Sequence, residues 1–135
     1  MRRLRTVIPF ACLALAGCGF NVAPSDLFVL HRSGQGRELT LLVSDGGTIR
    51  CDNGPPRPIS DALLLQARDL ADDLDKDVKA GLRPASPSTR SVYTYSIKLQ
   101  DGTIAFADTD AAAHAELGRA QLFTAQATEG PCAAR

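Results

Sequence analysis

The sequence predicts an α+β fold: one antiparallel sheet of about five strands with two helices packed on one face, in the order β-β-β-α-β-β-α. Three observations carry that prediction. Two Asp-Gly steps, Asp45-Gly46 and Asp101-Gly102, each stand between short apolar runs. Asp and Gly tolerate the positive φ that tight hairpins require. Each hairpin is followed, after a loop, by a stretch whose apolar residues recur at helical spacing. Finally, a chain of 135 residues suits one compact domain, so its two halves are expected to share a core.

Taken in order, Leu27 to Arg32 is apolar enough for a first strand, and Ser33-Gly34-Gln35-Gly36 reads as a turn. Glu38 to Ser44 is a strong strand, and Thr48 to Cys51 returns after Asp45-Gly46-Gly47. Asp52 to Pro58 holds three prolines and a glycine, a composition that forbids a regular element and predicts a loop. Ser60 stands where it can N-cap a helix running to about Ala80, with Gly81 as its stop. Leu63, Leu64, Ala67, Leu70, Ala71, Leu74 and Val78 paint one apolar stripe along it. Opposite stand Arg68, Asp69, Asp72, Asp73, Asp75, Lys76 and Lys79, with Asp72–Lys76 and Asp75–Lys79 spaced to pair.

Leu82 to Arg90 reads as a second surface loop. Val92 to Leu99 is a strand with Tyr93, Tyr95, Ile97 and Leu99 on one face, and Thr103 to Ala107 returns. A last helix is expected from about Ala112 to Ala127, burying Leu117, Ala120, Phe123 and Ala127. The hairpin segments Val43 to Ile49 and Leu99 to Ile104 echo one another.

Charge narrows the function classes. The chain carries 15 basic and 15 acidic side chains. That balance argues against a nucleic-acid binder, which needs an excess of Lys and Arg to meet phosphates.

The chain opens with Arg2, Arg3 and Arg5, followed by an apolar run from Val7 to Ala16 broken only by Pro9. This is the pattern of a secretory signal. The run is too short to remain as a span, which takes roughly twenty apolar residues. The run ends in Leu15-Ala16-Gly17-Cys18, which resembles the lipobox of bacterial lipoproteins. The resemblance implies that residues 1–17 are a cleaved signal peptide and that the Cys18 thiol carries a diacylglyceryl thioether. Residues 18–26 then form a lipidated tether and 27–135 a single domain. Its partner is membrane lipid, through Cys18, and its place is the cell membrane, facing the extracytoplasmic side. Each buried CH₂ contributes about 0.8 kcal/mol, so two or more acyl chains anchor stably. Losing Arg2, Arg3 and Arg5 leaves the exported domain with three more acidic than basic side chains.

On that reading Cys12 is discarded and Cys18 acylated. Cys51 and Cys132 remain as an even pair in an oxidising compartment, and a disulfide between them is expected. The mature chain resembles small lipoproteins of unassigned activity from GC-rich bacteria. Its stretch of a strand ending in Cys51, a Pro-rich loop and an Ala/Leu helix is similar to the start of secreted subtilisin-inhibitor-type domains. The helix lacks that family's partner cysteine, so no reactive-site residue is carried over.

Motifs for chemistry are sparse. His31 and His114 are the two histidines, and neither stands near a Gly-x-Ser-x-Gly nucleophile turn. Asp73, Asp75 and Asp77 have the first spacing of a calcium loop. Val78 and Pro84 occupy the positions that would need Gly and Glu. The sequence therefore assigns no catalytic, cofactor-binding or metal-ligating residue. It predicts a membrane-anchored, non-enzymatic interaction module with an unidentified protein partner. The loops Asp52–Pro58 and Arg83–Arg90 are its candidate contact surfaces. The alternatives are a small cell-envelope hydrolase with a non-standard site near His31 or His114, and a protease-inhibitor-like module.

Overall fold

The computed structural model describes residues 25–84 and 88–133. The stretch read as a signal peptide, Cys18, and all but the end of the stretch read as a tether lie outside the described residues. The remainder forms one antiparallel sheet and two helices. Strands β1 (Asp26–Gly34), β2 (Arg37–Ser44), β3 (Thr48–Cys51) and β4 (Arg57–Pro58) precede helix α1 (Asp61–Lys79). Strands β5 (Thr94–Lys98) and β6 (Thr103–Ala107), a 3-10 turn over Asp108–Ala112 and helix α2 (Ala115–Glu129) complete the order. The sheet order is β4-β3-β2-β1-β5-β6, so β1 is central and each flanking pair is a hairpin.

The α+β class holds, with six strands where the sequence suggested about five. The extra strand lies in the segment expected to be a loop. Arg57 and Pro58 pair with Ile49 and Thr48, and Ile59 N donates to Gly47 O at 3.0 Å. Proline is compatible with an edge strand because the edge has no second neighbour that needs its missing N–H. The composition argument, which forbade any regular element there, overlooked that exception.

Other boundaries shift for local reasons. The β1–β2 connection has two loop residues, Gln35 and Gly36, because Gly34 and Arg37 still pair. Both loop residues have positive φ, +53° and +68°, the type I′ geometry whose twist matches that of the strands. Gly34 belongs to β1. A Cβ there would collide with the Val92 carbonyl oxygen and the Tyr93 ring. Gly34→Ala is therefore expected to destabilise the fold by about 2 kcal/mol through overpacking against backbone, as urea denaturation would measure. A cost near zero would mean that the β1 end and the segment before β5 are not in contact.

Helix α1 follows the prediction closely. Ser60 caps it, accepting from Leu63 N at 3.2 Å, and the chain leaves through Gly81 at φ +76°. The expected pairs Asp72–Lys76 and Asp75–Lys79 are replaced. Lys76 Nζ meets Asp73 at 3.1 Å, and Lys79 Nζ reaches Asp101 at 2.8 Å. The last helix starts later than expected, after the 3-10 turn. There the buried Asp110 carboxylate accepts from Ala107 N at 2.7 Å, which fixes a tight turn and delays the helix to Ala115.

Along β1, β2, β3, β5 and β6, one alternation set is buried: Phe28, Leu30, Leu39, Leu41, Val43, Ile49, Tyr95, Ile97, Ile104 and Phe106. These join Leu63, Ala67, Leu70, Ala71 and Leu74 of α1 and Leu117, Ala120, Phe123 and Ala127 of α2 in a single cluster. Both helices cross the strands. α1 begins beside the β2–β3 turn, where Leu64 packs at Gly47, and ends beside the β5–β6 turn, where Val78 packs on Gly102. α2 runs back antiparallel to it, with Arg119 on Asp73 at 2.7 Å and Phe123 edge-on to Phe28 at 5.5 Å.

Candidate functional site

Of the predicted site residues, Cys18 lies outside the described residues, whereas Cys51 and Cys132 are joined in a disulfide. The bond ties the end of β3 to the chain just past α2, with the Cα atoms 5.8 Å apart and 81 residues between them in sequence. This closure also sets the fate of the first candidate contact loop. Asp52 N donates to Thr40 O at 2.7 Å, and Asp52 Oδ1 accepts from Thr40 N at 3.0 Å. Arg57 Nη1 donates to the Pro131 carbonyl at 3.0 Å. The segment Asp52–Pro58 is thus stitched into the sheet and the C-terminal turn.

The second candidate loop is ordered at its far end by side-chain caps. Asp108 accepts from Val92 N and Tyr93 N at 3.0 and 3.1 Å, Ser91 Oγ accepts from Ser88 N at 3.1 Å, and Ser88 Oγ accepts from Arg90 N at 3.3 Å. Residues 85–87, within Arg83–Arg90, lie outside the described residues.

The two histidines are brought to different places. His31 stands on the sheet face turned away from the helices, with Nδ1 2.9 Å from Thr40 Oγ1. His114 is the N-cap residue of α2, with Nδ1 3.7 Å from Glu116 Oε1.

Two surfaces emerge that sequence reasoning did not single out. The first is the outer face of the sheet, over which no described element lies. Registers place its residues in rows. Arg50, Leu42, Val29, Lys98 and Thr103 form one, and Thr40, His31, Ser96 and Ala105 the next. Val29 and Leu42 are half-buried, and Arg50 and Lys98 flank them along the row. Alternation in β1 and β2 could have located these residues, but whether a layer covered them depended on where both helices packed.

The second is a recess of about 350 Å³ between α1 and the strand ends. Its walls include Asp26, Asp45, Asp72 and Asp75, over Leu27 and Ala71. Arg68 Nε binds Asp45 at 2.6 Å on its rim, and the Asp75 Oδ1 is buried without a hydrogen bond. Four carboxylates line the recess, and Arg68 neutralises the one on Asp45. Among the described residues, no three His, Cys, Asp or Glu side chains converge closely enough to hold a metal ion. Neither histidine lines the recess. Its acidic lining escaped sequence reasoning because Asp26, Asp45 and Asp72 meet only once α1 crosses the strand ends.

Elsewhere, ionisable groups serve the fold. Burial pushes the Tyr95 hydroxyl above its usual pKa, and its ring stacks on Phe106 at 4.9 Å. Arg32 lies over the Tyr93 ring at 4.9 Å. No described helix is long and apolar enough to cross a membrane. Compared with protein-family models, curated proteins and solved structures, the chain matches none.

Proposed function

We propose that this chain is a lipid-anchored interaction module that docks an acidic protein partner on the open face of its sheet. The observation that carries the reading is the one-sided layering: both helices cover one face, and the other presents Val29 and Leu42 in one row and Thr40, His31 and Ser96 in the next. Such a face can be buried by a partner without rearrangement. Arg50, opposite Leu42 across the strands, favours a carboxylate beside the apolar pair Val29 and Leu42. The anchor rests on the lipobox-like Leu15-Ala16-Gly17-Cys18, and the Cys51–Cys132 bond supports an oxidising, exported location. A hydrolase reading wants histidine and acid together in a recess. His31 on the open sheet face and a carboxylate-lined hollow without histidine give that reading less support.

The anchor and the docking face have separate tests. Cys18→Ala should abolish incorporation of labelled palmitate and leave unprocessed precursor; undiminished labelling would remove the lipid anchor from the proposal. For docking, a photo-crosslinking residue is carried at Ser96 on the open face or at Asp69 on α1. An adduct of one discrete mass is expected from Ser96 and not from Asp69, and Arg50→Glu should weaken it about tenfold or more. Equal adducts from both positions, or indifference to Arg50→Glu, would defeat the docking face.

A further inference from the structure

The turn after β3 carries an Asn-Gly step, Asn53-Gly54. At such a step the glycine backbone nitrogen can attack the asparagine side chain, because glycine has no side chain of its own to block the approach. The chain's other asparagine, Asn21, precedes Val22, whose branched side chain hinders the same attack. Asn53 is exposed, so water reaches it. The Gly54 nitrogen, however, is committed elsewhere. Its N–H donates to the Cys51 carbonyl at 3.0 Å and closes the turn, and attack on Asn53 requires that hydrogen bond to break first.

Both ends of this segment are fastened to one place. Cys51 is bonded to Cys132, and Arg57 Nη1 donates to the neighbouring Pro131 carbonyl at 3.0 Å. Cys132 N in turn donates to Ala127 O at 2.9 Å, which fixes that place to the end of α2. Asp52 is held separately, by Thr40 of β2, and residues 53–56 span the gap between the two fastenings. We propose that Asn53 is a self-modification site guarded by the Cys51–Cys132 bridge. With the bridge closed the turn stays shut; in a chain without the bridge it opens, and Asn53 converts to aspartate and isoaspartate.

In the first step a bond forms between Gly54 N and Asn53 Cγ, and the Cγ–Nδ2 bond breaks. Ammonia leaves with the proton that Gly54 N has lost, and a cyclic succinimide remains. Water then opens the ring at either carbonyl. The sum is asparagine plus water giving aspartate or isoaspartate plus ammonia, with nothing oxidised or reduced. Each product places a new carboxylate beside Asp52, and isoaspartate also lengthens the backbone path by a carbon. The reach from Cys51 O to Gly54 N that closed the turn at 3.0 Å is then wrong, so the turn does not re-form. A chain that has lacked its bridge thus keeps a covalent record of it, whatever the open sheet face binds.

The test incubates three forms of the chain at mildly alkaline pH: bridged wild type, the double variant Cys51→Ala with Cys132→Ala, and Ile104→Ala with its bridge intact. Mass spectrometry of the tryptic peptide that begins at residue 51, taken after reduction, reads the fraction of Asn53 converted. The double variant should convert at least about tenfold faster than the wild type, the factor that one net hydrogen bond supplies when it no longer holds. Ile104 is buried on β6, at the opposite edge of the sheet from β4. Its truncation weakens the core and leaves the turn closed, so Ile104→Ala should stay within about twofold of the wild type. Amide exchange separates local from global opening: in the double variant Gly54 should lose protection while Leu41 of β2 keeps it. Equal conversion in the wild type and the double variant would overturn the guard. So would an Ile104→Ala chain as fast as the double variant, or a joint loss of protection at Gly54 and Leu41.

Discussion

Replacing Cys51 and Cys132 together by alanine is expected to lower stability by about 4 kcal/mol, a drop of roughly 15 °C in thermal midpoint for a domain of this size. Most of that loss comes from the unfolded chain. The bridge spans 81 residues, and the entropy of so long a loop is returned when it opens. The folded state loses little, because Cys132 is buried and Cys51 packs at the margin of the core, where alanine leaves no unpaired hydroxyl. The bridge also holds the strand that carries β4 beside the Pro131 carbonyl that Arg57 binds, so β4 should fray first. The measurement is urea and thermal unfolding of the wild type, the double variant and the reduced wild type. The last two should coincide within about 0.5 kcal/mol. A double variant within about 2 °C of the wild type would mean that the bridge closes nothing the fold depends on.

That cross-link was readable from cysteine arithmetic once the N-terminal resemblance had accounted for Cys12 and Cys18. Helix α1 was readable to its caps, because Ser60, the stripe from Leu63 to Val78 and Gly81 all act locally. What the sequence concealed is tertiary. Pro58 looks like a breaker until β3 offers it an edge. Asp110 looks like the first turn of a helix until its carboxylate turns back on Ala107 N. The recess needs α1 to run across the strand ends, and the pair Asp73–Arg119 needs the two helices in one antiparallel register. On α1 alone, Asp72 to Asp77 reads as a solvated acidic run. Only the partner helix shows that Asp73 meets an arginine. Local propensity carries no record of such long-range meetings, and for the same reason the open sheet face could not be told from a covered one.

Phe123→Ala is expected to cost about 4 kcal/mol, whereas Leu122→Ala one residue earlier should cost less than about 0.5 kcal/mol. Successive residues on a helix lie about 100° apart, so this contrast reads the rotation of α2 about its axis. Phe123 is 1% exposed, and its ring meets that of Phe28 at an interplanar angle of 76°, an edge-to-face contact worth about 1 kcal/mol beyond burial. Leu122 is 56% exposed, and its loss removes little from the core. The chain has no Trp, so far-ultraviolet circular dichroism in urea is the practical probe, with an unchanged slope showing that the same surface unfolds. The rotation matters beyond stability. The turn of α2 that buries Phe123 against β1 also directs Arg119 toward Asp73. Comparable costs for the two substitutions would mean that α2 faces the sheet differently, and the Arg119 contact with Asp73 would have to be redrawn.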